Sequence, residues 1–239
     1  MKAIVLAAGK GKRLQSEKFN QPKVLRCAKG RPLLSYVLEN VNFIAPEDTT
    51  IVVGYKKEMV YEAIDSSYCF AVQEEQLGTG HAVASAADQL TEYDGDVLVL
   101  YGDMPMLKRE TYQALVEKHK AENAACTILT VVTESPLAYG RIIRENGKIV
   151  DIVEEKDCTP EQYVIKERNV GVYVFDSKTL FENLKLLKND NAQGEYYLTD
   201  VPKLLISAGK TVTAHVIGDT CEIYGVNTLE DLDFCEKNL

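Results

Sequence analysis

Short apolar runs alternate with stretches of helical periodicity through the first half of the chain. Residues 4–8, 50–53, 69–72 and 97–101 are almost wholly apolar and bounded by turn residues, which predicts buried strands of a parallel sheet. Between them Pro32 opens a helix whose apolar positions Leu34, Val37, Leu38 and Val41 repeat at helical spacing. Further helices are predicted near 56–64 and over 81–88. Tyr112, Leu115, Val116 and His119 share one face of the next helix, which makes His119 a packing residue rather than a ligand. Strand and helix in strict alternation is the signature of a βαβ sheet.

Beyond residue 124 the rhythm changes. "CTILTVV" is followed by "YGRIIR" and "KIVDIVE", joined through Asn146-Gly147, a strong hairpin signal. These segments add an antiparallel element beside the sheet. "NVGVYVF" predicts another strand, Ser177 is placed to cap a helix carrying Leu180, Phe181, Leu184 and Leu187, and Pro202 suits the first turn of a helix through Ile206. No repeat, low-complexity segment or linker interrupts the pattern, so one α/β domain is expected over residues 1–239.

Composition narrows the partners. The chain has 239 residues, 46% of them hydrophobic and 26% charged, with a net charge of −9, which argues against a general nucleic-acid or membrane-surface binder. Yet Lys10, Lys12, Arg13, Lys18, Lys23, Arg26, Lys29 and Arg31 crowd into residues 10–31 against the single acid Glu17. A positive island in an acidic protein suits a small polyanion such as a nucleoside triphosphate, and a solvated charged loop equally well. Six cysteines show neither a Cys-x-x-Cys pair nor histidines at zinc spacing, so inert reduced thiols are expected. No signal core or membrane-length apolar run is present, and the expectation is a cytoplasmic protein.

The island begins in "IVLAAGKGKRL", where a strand enters a glycine loop that can turn several backbone N–H groups toward an anion. It is neither of two familiar phosphate loops. A Walker A loop needs Gly-x-x-x-x-Gly-Lys-[Ser/Thr], and the dinucleotide fingerprint needs a third glycine where this chain has Leu14.

Three other segments hold candidate chemistry. "VLVLYGDMP" sets Asp103 just past a buried strand, where open α/β sheets collect ligands; it suits a hard oxygen ligand for Mg²⁺ or the start of a turn before Pro105. "EEQLGTGHA" puts Gly78, Thr79 and Gly80 before a helix, either as an anion or base-edge site or with Thr79 as an ordinary N-cap. "NAQGEYYLTD" has neither helix nor strand periodicity, as site-lining loops often do not.

Taken in order, "LAAGKGKRL", "QPKVL", "QEEQLGTGHA", "YGDMP", "YGRI", "EEKD", "RNVGVY", "NAQGEYYLTD" and "GVNT" resemble the uridylyltransferase domain of the GlmU family. The resemblance covers essentially the whole chain. It implies a Rossmann-like, mixed but mostly parallel sheet of the nucleotide-diphospho-sugar transferase (GT-A-like) type. It also implies the transfer of UMP from UTP to N-acetyl-α-D-glucosamine 1-phosphate, giving UDP-N-acetylglucosamine and pyrophosphate, with Mg²⁺ as cofactor.

The same resemblance assigns residues. Leu6, Ala7, Ala8 and Gly9 meet the nucleotide through the main chain, Arg13 reaches the β- and γ-phosphates, and Lys23 the α-phosphate. Gln73, Gly78 and Thr79 read the uracil, and Asp103 with Asn227 holds the metal. Tyr101, Gly102, Gly140, Glu154 and Asn169 hold the sugar, joined by Tyr197 and Thr199. Two departures stand out: Lys12 where the family usually has Thr, and a longer segment from Leu14 to Gln21. Bifunctional relatives continue into a β-helix of hexapeptide repeats with acetyltransferase activity; none of those repeats is present, so no acetyl transfer and a monomer are expected. The rival expectations are a sister enzyme acting on another sugar 1-phosphate, such as glucose 1-phosphate, and a silent nucleotide-sugar sensor.

Overall fold

The structure is a computed structural model and describes residues 1–14, 18–135 and 138–239. Among these residues nine strands form one sheet. In the first half Lys2–Leu6 (β1), Thr49–Val53 (β2), Cys69–Val72 (β3) and Asp96–Tyr101 (β4) alternate with the helices Leu33–Asn40 (α1), Lys57–Ala63 (α2) and Thr79–Ala84 (α3). All four strands run parallel, in the order β3-β2-β1-β4. The order reverses between β1 and β4, and such a switch point opens a crevice at the carboxyl ends of the strands.

The second half reverses direction. After Arg109–Glu122 (α4) and Cys126–Val132 (β5) come the hairpin strands Arg141–Glu145 (β6) and Lys148–Val153 (β7), then Glu167–Asp176 (β8). β8 lies antiparallel between β4 and β5, and β6 pairs with both β8 and β7. Asn146 and Gly147 both take positive φ, as the two-residue turn requires. Ser177–Leu184 (α5), Asp200–Ser207 (α6), Val212–Ile217 (β9) and Leu229–Asn238 (α7) complete the chain, with β9 parallel to β5 at the sheet edge.

Side-chain alternation along the central strands builds two cores. Ala3, Val5, Leu98 and Leu100 face α1, α2 and α4 with Leu34, Val37, Val60, Tyr112 and Leu115, all buried. Ile4, Leu6, Val97 and Val99 face α3, α5 and α6 with Ala82, Val83, Leu180, Val201 and Leu205. With both faces covered, these strands read as continuous apolar runs. His119 is buried on α4, its Nδ1 meeting Thr127 Oγ1 at 3.0 Å and its Nε2 lying 3.4 Å from Asp96. Among the described residues no helix is long and apolar enough to cross a membrane.

Several sequence expectations shift in detail. β1 ends at Leu6, so Ala7 and Ala8 already belong to the loop, held by the Ala7 N–H to Val52 O bond of 2.8 Å. Pro32 opens α1 from its N-cap position and also pairs with Cys27 in a two-residue ladder. The helix expected over 81–88 ends at Ala84 and is followed by a separate turn at Ala87–Leu90. Asp176, not Ser177, caps α5, because its carboxylate accepts from Thr179 N at 2.8 Å. The apolar pattern predicts neither β9 nor α7, which the structure adds.

Candidate active site

The loop after β1, the start of the segment after β3, and the end of β4 meet at the switch point around a cavity of about 330 Å³. Leu6, Ala7, Ala8 and Gly9 line it together with Gln73, Gly78, Thr79, Lys23, Tyr101, Asp103 and Asn227. A side chain on Gly9 would meet nothing within 4 Å, so the loop backbone faces open space there. Backbone amides in such a loop offer donors to an anion without a side chain in the way.

The most polar corner gathers Lys23, Asp103, Asn227 and Arg13. Lys23 follows Pro22 in a short helical turn, Arg13 sits in another at Lys12–Leu14, and both reach the same amide oxygen. Lys23 Nζ donates to Asn227 Oδ1 at 2.8 Å and Arg13 Nη2 donates to it at 3.1 Å. Lys23 also forms an ion pair with Asp103. Asn227 arrives through main-chain contacts: Val226 N–H donates to Asp103 O at 2.9 Å, and Asp231 Oδ2 accepts from Asn227 N and Thr228 N. Thr228 and Asp231 form a capping box at the start of α7, which fixes the residue just before it.

Gln73 Nε2 donates to Gly78 O at 3.0 Å and meets the His81 ring at 3.2 Å. The non-periodic segment of residues 191–200 owes its shape to pairing with the glycine loop. Tyr196 N donates to Leu77 O and Gly80 N to Tyr196 O, both at 2.8 Å, and Leu198 N donates to Thr79 Oγ1 at 3.0 Å. That leaves no room for side chains at 78 and 80: a Cβ on Gly78, whose φ is +116°, would lie 2.6 Å from Tyr196 O, and one on Gly80 2.4 Å from Leu187. Thr79 is therefore not the N-cap of α3; that position is Gly78, and the Thr79 hydroxyl serves residue 198.

The residues assigned to the sugar form a neighbouring cluster. Gly140 O accepts from Asn169 N at 2.8 Å, and Glu154 Oε1 accepts from Thr199 Oγ1 at 3.1 Å. The Asn169 side chain is engaged within the chain, donating to Tyr173 OH at 2.7 Å and accepting from Gly171 N at 3.1 Å. Gly102 N donates to Leu6 O at 2.9 Å, tying β4 to β1 at the crevice. Tyr101 links the two halves. Burial first, then the carboxylates of Glu154 and Asp103, pushes its phenol well up. Burial also raises the Glu154 carboxyl, opposed by the Thr199 hydrogen bond and, further down, by the charge of Arg141. The Tyr197 phenol is pushed up to about 12, mainly by burial.

Gln76 and Glu195 line the same cavity and were missed from the sequence, although both lie inside motifs singled out there. The Lys12 side chain and residues 15–17 of the lengthened loop lie outside the described residues.

Residues 2–220 match the family model described as nucleotidyl transferase, and the chain belongs to that family. Among curated proteins it is 46% identical over 226 residues to the bifunctional protein GlmU of Lactococcus lactis subsp. lactis, covering 94% of this chain and 49% of the relative. It is 44% identical over 236 residues to that of Geobacillus sp., covering 98% and 51%. The chain thus spans about half the length of the curated relatives it matches. Its fold is that of a UDP-glucose pyrophosphorylase solved with UDP-glucose (TM-score 0.78, 19% identity, 99% of this chain and 97% of the other). A putative glucose-1-phosphate thymidylyltransferase from Bacillus anthracis, solved with sucrose, shares it (TM-score 0.75, 20% identity, 100% and 96%).

Proposed function

We propose that this chain, read as one nucleotidyltransferase domain over 1–239, transfers UMP from UTP to N-acetyl-α-D-glucosamine 1-phosphate in the cytoplasm, releasing pyrophosphate. The observation that carries this is the convergence of Lys23 and Arg13 on Asn227 beside Asp103, at the mouth of the glycine loop. Two cations and two oxygen donors gathered at one point suit a reaction whose obstacle is bringing two polyanions together.

The sugar phosphate oxygen attacks the α-phosphorus of UTP in line. A bond from that oxygen to the α-phosphorus forms, the bond from the α-phosphorus to the β-bridging oxygen breaks, and the electron pair leaves with pyrophosphate. No side chain acts as nucleophile. The backbone of residues 6–9 and Gln73, Gly78 and Thr79 orient the nucleotide. Lys23 follows the α-phosphate as a point charge on a flexible stem, and Arg13 presents its donor fork to the departing pyrophosphate.

Asp103 and Asn227 fit a divalent cation: the ammonium of Lys23 touches an oxygen of each, so the two donors already converge on one positive charge. Among the described residues no group of three or more His, Cys, Asp or Glu side chains is arranged to hold a metal, and Mg²⁺ ordinarily completes its shell with water and substrate phosphate. When bound, Mg²⁺ would neutralise phosphate charge and align the phosphates.

Pyrophosphate release across a panel of nucleoside triphosphates and sugar 1-phosphates tests the proposal. UTP with N-acetylglucosamine 1-phosphate should give the highest kcat/KM. A preference for glucose 1-phosphate would reassign the sugar, and tight UDP-sugar binding without turnover would make the chain a sensor.

A further inference from the structure

Arg141 has the largest side chain among the fully buried residues, with 1% of its surface exposed, yet no catalytic step uses it. A buried guanidinium is costly to desolvate unless its donors are placed, and here they go to three separate segments. Nη1 donates to Tyr139 O, one residue before Gly140. Nη2 lies 3.5 Å from Glu155 Oε1, one residue after Glu154. Nε donates to Tyr163 O at 3.3 Å, and the guanidinium stacks on the Tyr163 ring with 4.7 Å to the centroid. The Arg141 backbone pairs with Val153 on one side and Arg168 on the other, so it stands between the strands that lead into Glu154 and Asn169.

The consequence reaches Gly140, Asn169, Glu154 and Thr199 of the sugar cluster. Gly140 O, anchored next to the Tyr139 carbonyl, accepts from Asn169 N at 2.8 Å. Glu154, anchored through Glu155, accepts from Thr199 at 3.1 Å. The nucleotide-facing residues Leu6–Gly9, Gln73, Gly78 and Thr79 make no contact with Arg141 among the hydrogen bonds and ion pairs of the described residues. Arg141 also works against the burial that raises the Glu154 carboxyl, together with Thr199 and against the charges of Asp157 and Asp200.

We propose that Arg141 is the positioning residue of the sugar half of the site, holding Gly140 and Glu154 at their spacing by bridging Tyr139, Glu155 and Tyr163. It rests on the transferase reading above and touches no substrate itself. Lysine cannot replace it fully, because one ammonium lacks the planar fork that serves three directions at once.

The test compares the unmodified protein with Arg141→Gln, Arg141→Lys and Glu155→Gln by steady-state kinetics in both substrates, alongside thermal melts. Arg141→Gln should raise KM for the sugar phosphate about tenfold or more, since small misplacements of positioning groups cost that much, and leave KM for UTP within about twofold. Arg141→Lys should fall between the two proteins. Glu155→Gln, which removes the charge of one partner at a half-buried position, should raise the same KM by a few fold. Should Arg141→Gln fail to fold, Arg141→Lys and Glu155→Gln decide. Equal rises in both KM values, or a lowered melting temperature with both unchanged, would overturn the inference and leave Arg141 a general structural residue. If the unmodified protein makes no nucleotide sugar, the transferase reading fails; the Arg141 inference is then read from UDP-N-acetylglucosamine binding by calorimetry, where unchanged affinity in all three variants overturns it.

Discussion

The ammonium of Lys23 lies against the carboxylate of Asp103 and takes its second acceptor, at 2.8 Å, from Asn227. The chain's own cation thus stands where Asp103 and Asn227 would present their oxygens to a divalent metal. A dication and an ammonium about 4 Å apart repel by roughly 8 kcal/mol at an effective dielectric of 20, so a metal settles there as Lys23 moves off toward a phosphate. Lys23→Met should therefore strengthen binding of Mn²⁺ alone, in the absence of nucleotide, by about tenfold or more. Paramagnetic titration of free Mn²⁺ measures this; unchanged or weaker binding would separate Lys23 from the metal position.

Loss of the Lys23 ammonium should also harm turnover. Charge builds at the α-phosphorus mostly in the transition state, so Lys23→Ala should lower kcat by about a hundredfold or more with a smaller change in KM for UTP. A change confined to KM would make Lys23 a uniform binder of nucleotide.

Asp103→Asn keeps the shape and removes the charge. Turnover should fall by about a hundredfold at limiting Mg²⁺ and recover in part as Mg²⁺ is raised, because a weakened ligand is offset by mass action. Near-normal rates at limiting metal would remove Asp103 from the metal site.

Gly171 sits in the irregular stretch of β8 with φ +88°, and a Cβ there would lie 2.6 Å from Tyr101 Cε2. Gly171→Ala should cost roughly 1–3 kcal/mol through backbone strain and displacement of the Tyr101 ring. Denaturant unfolding measures the loss, and an unchanged midpoint would show that the ring yields freely.

His119 predicts a pH dependence of stability. Burial is the first cause and lowers its pKa, against the attraction of Asp96 and Asp176, with Lys120 acting the same way as burial. The unfolded chain therefore binds the proton more readily. This contribution is present above about pH 6.5 and is lost as pH falls below that toward the lowered folded value. His215 shifts in the same direction. His119→Gln should flatten the decline in stability between pH 7 and pH 5; an unchanged slope would mean that other groups set it.

Much of the site was legible because its residues sit in contiguous motifs at strand ends. Leu6–Gly9, Gln73 and Tyr101–Asp103 lie at or just past the ends of apolar runs, and the parallel order carries those ends to one crevice. What sequence could not convey was pairing across loops. The 191–200 segment has no period because it is bonded to residues 77–80, a relation between segments rather than within one. Strand β9 shows only a weak alternation, since Val212 and Ala214 are partly buried and Val216 is exposed at the sheet edge. Helix α7 does carry a local signal, the Thr228 to Asp231 spacing of a capping box, although its apolar periodicity is weak. The fork of Arg141 serves three segments at once and leaves no pattern along the chain at all.

In the proposed reaction the uridylyl group passes directly between two phosphates without a protein-bound intermediate. UTP labelled at the α-phosphate, mixed with excess enzyme and Mg²⁺ in a single turnover, tests it most directly. The label should pass to UDP-N-acetylglucosamine only when N-acetylglucosamine 1-phosphate is present, with unlabelled pyrophosphate released and none of the label on the precipitated protein. Label retained on the chain would instead reveal a covalent uridylyl-enzyme, and no labelled nucleotide sugar at all would rule out the transfer.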